Sequence, residues 1–189
     1  MRISKSIAIT GALFLASAAA VWADDPGGRA QRNDDRHDEE RQILEFRTMI
    51  GVPRPYTGSA NAIRVVPGCG LPWVVSSAKG ELGADGRLEI KVEGLVFDPN
   101  DAAVIAGGLA GQNTVASLRA IVSCLSKDLA GAPSIVNLMT DTFPATTGPA
   151  SGGGGNVRIE AFLQLPSPCI APIVFVTSPT GAWFAATGH

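Results

Sequence analysis

Seven residues near the middle of the chain, Arg87-Leu88-Glu89-Ile90-Lys91-Val92-Glu93, alternate charged and apolar side chains without a break. Only extended backbone puts every second residue on one face, so the segment Arg87 to Val96 reads as a half-buried strand with Leu88, Ile90 and Val92 inward. Ala84-Asp85-Gly86 before it is a turn signal, and Leu71 to Leu82 lies on the other side of that turn. The two stretches predict a hairpin.

The same period recurs along the chain. Ser117 to Leu125 places Leu118, Ala120, Val122 and Cys124 on one face. Val157, Ile159, Ala161, Leu163 and Leu165 alternate with Arg158, Glu160 and Gln164. Ala171 to Thr177 and Ala182 to Thr187 flank Ser178-Pro179-Thr180-Gly181, which reads as a tight turn and predicts a terminal hairpin. Ala62 to Val66 and Ser134 to Thr140 are weaker strand candidates. The fold class that follows is all-β, a single antiparallel β-sandwich of seven to eight strands, with a small barrel as the alternative. Two connections are long. Asp98 to Thr114 includes a helical turn at Asp101 to Ile105. Thr142 to Asn156 carries Pro144, Pro149 and four consecutive glycines, and reads as a flexible loop.

The chain of 189 residues divides by charge. Residues 24–58 hold eight acids and six bases, whereas residues 59–189 hold nine acids and seven bases. The expected organisation is therefore a signal peptide at 1–23, a charged arm or linker at 24–58 and the sandwich at 59–189. The signal reading rests on Arg2 and Lys5, the apolar run Ile7 to Trp22, and Val21-Trp22-Ala23 as a small-residue cleavage site. The run is about 16 residues long, short of the roughly 20 that a membrane span needs. The expectation is a protein secreted to the periplasm or beyond, with no stable membrane anchor after cleavage. In the arm, Asn33 or Asp34 could cap a helix reaching Thr48, with Ile43, Phe46 and Ile50 as its apolar stripe.

Three cysteines follow the cleavage point: Cys69, Cys124 and Cys169. Export permits a disulfide. Cys124 sits mid-strand on an apolar face and Cys169 opens the next apolar run, so this is the preferred pair. Three reduced thiols are the alternative. Cys69, between Gly68 and Gly70, is then free in an exposed turn or paired with a second chain, which would make a dimer. No CxxC is present to start a metal site.

Several chemistries are hard to build from this sequence. The histidines are His37, in the arm, and His189, the final residue given, so neither promises a rigid partner for a nucleophile. There is no GxSxG elbow, and the glycine run lacks the Lys-Ser/Thr ending of a phosphate loop. The net charge of −2 leaves no basic footprint for nucleic acid. Carboxylates are the remaining route. Glu89 and Glu93 share a face but lie four residues apart, roughly 13 Å, too far for a glycosidase pair. Glu160 would have to complement one of them. Asp98-Pro99-Asn100-Asp101 could lend oxygens to calcium, but supplies too few alone and reads first as an Asx turn. The aromatic residues Trp73, Phe97, Phe143, Phe162, Phe175, Trp183 and Phe184 read mostly as core.

Four stretches resemble ones found in short exported bacterial proteins of unknown function: Gly70-Leu71-Pro72-Trp73-Val74-Val75, Leu118 to Leu125, Phe143 to Ser151, and Ser178 to Phe184. The resemblance covers about residues 60–189 and implies one compact exported domain. It assigns no activity, and no functional residue carries over from it. The expected function is a non-catalytic extracellular binding or adhesion module, with an extracellular ligand or partner protein and no cofactor. The alternative is a carboxylate-dependent hydrolase acting on an extracellular polymer. No catalytic, cofactor-binding or metal-binding residue is assigned.

Overall fold

The computed structural model describes residues 42–187. The signal segment, His37, His189 and the first part of the arm lie outside the described residues. In chain order the strands are β1 (Gln42–Phe46), β2 (Met49–Gly51), β3 (Trp73–Val74), β4 (Ser77–Gly83), β5 (Arg87–Glu93), β6 (Val96–Phe97) and β7 (Gln112–Asn113). They continue as β8 (Ser117–Lys127), β9 (Pro133–Met139), β10 (Phe143–Pro144), β11 (Gly148–Pro149), β12 (Val157–Phe162), β13 (Ile170–Thr177) and β14 (Trp183–Thr187). One short helix, α1 (Ala102–Ala106), follows β6. Eight of the described strands have five or more residues and the other six have two or three.

The fold is all-β and antiparallel. One sheet has the order β1-β4-β5-β12. A second runs β10-β8-β13-β14-β2, with β9 also paired to β8. The β4–β5 and β13–β14 hairpins form as the turn signals require. Leu82, Leu88, Ile90, Val92 and Ile159 from the first sheet meet Leu118, Val122, Val174 and Val176 from the second in one core. Each of these side chains is buried, and removing one from water is worth about 1.5–3 kcal/mol. Trp73 closes one end of the core, its ring centroid 4.1 Å from Phe97 and 4.3 Å from Phe184.

Four expectations are corrected. The arm is not helical over residues 42–48. Phe46 and Met49 are buried in strands, β1 pairs with β4 and β2 with β14, so the folded sheets begin well before residue 59. Ile43, Phe46 and Ile50 form no common stripe, since Ile43 and Ile50 are exposed. Ala62 to Val66 is not a strand but a two-residue turn closed between Ile63 and Val66, with Arg64 and Val65 at φ of 46° and 69°. The glycine run is not a loose loop. Gly154 and Gly155 are buried, and the Gly155 carbonyl accepts a hydrogen bond from the Leu95 amide at 3.2 Å. A Cβ at Gly155 would sit 2.1 Å from the Leu95 carbonyl oxygen, so the glycine is required by close backbone approach.

Asp101 explains the long connection after β6. Its Oδ1 accepts from the Ala103 and Val104 amides at 3.0 and 3.1 Å, capping α1. Arg54 grips the same carboxylate through Nε at 2.6 Å and Nη2 at 2.5 Å. This fork ties the turn after β2 to the helix start and leaves little of that carboxylate for a calcium ion.

Candidate functional site

The charged residues of the first sheet all stand on the face turned away from the core, because their neighbours in sequence are the buried ones. Pairing then decides which charges meet across the strands. Glu81 lies opposite Glu89, Glu89 opposite Glu160, and Glu45 opposite Glu81. Four carboxylates thus form one row across β1, β4, β5 and β12. The next outward row holds Lys79 opposite Lys91 and Lys91 opposite Arg158. Arg47, just past the end of β1, lies beside the same concave surface as Lys79, Lys91 and Arg158. Directly opposed residues sit about 4.5–5.5 Å apart at Cβ, while successive rows are roughly 7 Å apart.

Ion pairs run along the strands instead of across them. Arg87 bonds Glu89, and Arg158 bonds Glu160. Lys91 Nζ meets Glu93 at 2.6 Å, and Arg47 meets Glu45 at 3.1 Å. Glu81 accepts from Gln42 Nε2 at 2.7 Å. The Glu93 carboxyl is held below the usual carboxylate range, first by its hydrogen bond to the Lys91 ammonium and then by that charge and the one on Lys79.

The sequence singled out Glu89, Glu93 and Glu160, and the register brings Glu89 and Glu160 together while leaving Glu93 two positions away from that row along the outward face. The two neighbours stand on one sheet face pointing the same way. Each is paired to an arginine of its own strand, but Glu89 lies between Glu81 and Glu160 and is the less exposed, whereas Glu160 stands on the outer strand with Glu89 opposite it. A glycosidase pair flanks the bond it cleaves, which two carboxylates side by side on one open face do not. Lys79, Glu81, Glu45 and Arg158 belong to the same surface and were missed. Their signal was the in-phase alternation of charge in four separate segments. Phe162, one of the aromatic residues that read mostly as core, is exposed at the rim of this face opposite Arg87.

The disulfide joins Cys124 to Cys169 with Cα atoms 4.9 Å apart. Cys124 is buried, as its place in β8 requires. Cys69 is a free thiol but half-buried, not in an exposed turn. Its amide donates to the Trp183 carbonyl at 2.9 Å and its side chain packs on the core. Among the described residues no group of His, Cys, Asp or Glu is arranged to hold a metal ion. Among them, too, no helix is long and apolar enough to cross a membrane. No family model matches the chain, and no curated protein or solved structure is similar to it.

Proposed function

We propose that this chain is a secreted, non-catalytic β-sandwich module that binds an extracellular ligand or partner protein through the charged face of the β1-β4-β5-β12 sheet. The observation that carries the reading is the row Glu45, Glu81, Glu89, Glu160. Like charges directly opposite each other weaken a sheet. Three of the four have an arginine along their own strand, yet like charges still face each other across four strands, and contacts with a partner would offset that repulsion. Export is supported by the residues of the N-terminal segment and by the Cys124–Cys169 bridge, which suits an oxidising compartment.

The second reading, a carboxylate-dependent hydrolase, draws on the adjacency of Glu89 and Glu160 and is weakened by their standing side by side on one open face. One experiment separates the two. The secreted protein is incubated with insoluble cell-wall and capsular polysaccharides, and with whole cells of the producing strain, while bound protein and newly released reducing ends are both measured. Retention that Lys79→Glu with Arg158→Glu reduces, without new reducing ends, is the expected result. Release of reducing ends that Glu89→Gln abolishes would establish the hydrolase instead.

A further inference from the structure

The charged face has a property that narrows its partner. Along β5 the outward side chains read Arg87, Glu89, Lys91, Glu93, which is plus, minus, plus, minus. Lys79 and Glu81 on β4, Arg158 and Glu160 on β12, and Glu45 with Arg47 at β1 continue the same two rows. The face carries five acids and five bases, so its net charge is zero. A uniform polyanion drawn to the basic row would be repelled by the acidic row roughly 7 Å away, and a polycation the reverse. The fitting partner carries both signs in rows at the spacing of a β-sheet.

We infer that this partner is a second copy of the chain, docked face to face through the β1-β4-β5-β12 sheet. The inference rests on the reading that this face is the binding surface. Place a two-fold axis between the two sheets, running across the strands midway between the acidic and basic rows. Each strand then lies on its own counterpart. Glu89 meets the second copy's Lys91, and Arg87 meets its Glu93. Lys79 meets Glu81, Arg158 meets Glu160, and Glu45 meets Arg47. Every charge named finds its opposite, which is the self-complementarity that an isologous contact demands. Each carboxylate already has one partner on its own sheet and gains a cation from above as a second. Such a contact is electrostatic and weakens with salt. A surface module that binds its own kind would join the cells or the matrix that carry it.

Sedimentation velocity on the full secreted chain tests this, using wild type, Glu89→Lys, Lys91→Glu and an equimolar mixture of the two variants. Wild type should self-associate, at least about tenfold more weakly in high salt than in low salt. Each variant alone places like charges face to face and should dimerise at least about tenfold more weakly. In the mixture the lysine introduced in one chain would face the glutamate introduced in the other, and association should return close to the wild-type level. Arg158→Glu and Glu160→Lys give the same test on β12 if a β5 variant fails to fold. A wild type that stays monomeric to about 1 mM, or single variants that associate as wild type does, would overturn the homotypic contact. If polysaccharide or cell binding still depends on Lys79 and Arg158 in that case, the face remains a binding surface and only its occupant changes.

Discussion

Glu89 and Glu160 lie directly opposite each other on adjacent antiparallel strands, and Glu81 lies opposite Glu89 on the other side. One carboxylate is therefore flanked by two others. Glu89→Lys would turn both cross-strand contacts from like to opposite charge, at the loss of the exposed pair with Arg87. Opposite-charge cross-strand pairs and exposed ion pairs along a strand each add roughly 0.2–1 kcal/mol, and the variant gains two of the first for one of the second. The variant should melt slightly higher than wild type in dilute solution, by about 0.5 kcal/mol in unfolding free energy. A lower midpoint would mean that the acidic row is not a burden on the sheet.

The Cys124–Cys169 bridge closes a loop across a sequence separation of 45 residues between β8 and the start of β13. Cys124→Ser should lower stability by roughly 2–5 kcal/mol. Cys69→Ser should cost under about 1 kcal/mol, because the half-buried thiol only packs against the core rim. Denaturant titration of the three proteins checks both, with non-reducing peptide mapping to verify the pairing.

Gly155 sits at φ 80° with its backbone against Leu95. Alanine there meets both a disfavoured backbone region and a carbonyl oxygen, so Gly155→Ala should destabilise by about 2–3 kcal/mol. Gly131, also at positive φ but with open space around it, is the comparison. Gly131→Ala should show the backbone penalty alone, about 1 kcal/mol. Equal losses at the two sites would contradict the close approach.

The Asp101 carboxyl is held below its ordinary value of 3.8, first by the hydrogen bond from the Arg54 guanidinium; desolvation opposes this, and the Val104 amide, the Arg54 charge and the Ala103 amide add to the lowering. A depressed folded-state value gives stability that is present above the unfolded value and lost as pH falls through the folded one. The melting midpoint of wild type should exceed that of Asp101→Asn near neutral pH, and the gap should close below about pH 4. A gap that stays constant with pH would show that the ion pair contributes nothing.

The strands of the body were legible because their side chains alternate, and the terminal hairpin because Ser178-Pro179-Thr180-Gly181 is strong turn chemistry. The disulfide was legible because Cys124 shares a face with Leu118, Ala120 and Val122. Charge density misled the reading of residues 42–58. A polar run hid Phe46, Met49 and Val52, which are buried by non-local pairing with β4 and β14. The glycine run was misread because what it packs against, Leu95, is far away in sequence. The Glu81–Glu89 match follows from the hairpin register once the turn is known. Glu89 with Glu160 does not, since no local rule says that β12 returns to lie beside β5.

Carboxyl footprinting gives the most direct test of the proposed binding surface. The purified protein is labelled with a carbodiimide and an amine, once dilute and once mixed with cells or matrix material on which it is retained. Glu45, Glu81, Glu89 and Glu160 should become protected in the bound sample, while the exposed Asp128 and Asp141, which lie outside this sheet, label as before. Unchanged labelling of the four glutamates in protein that is demonstrably bound would contradict the assignment of the charged sheet face as the binding surface.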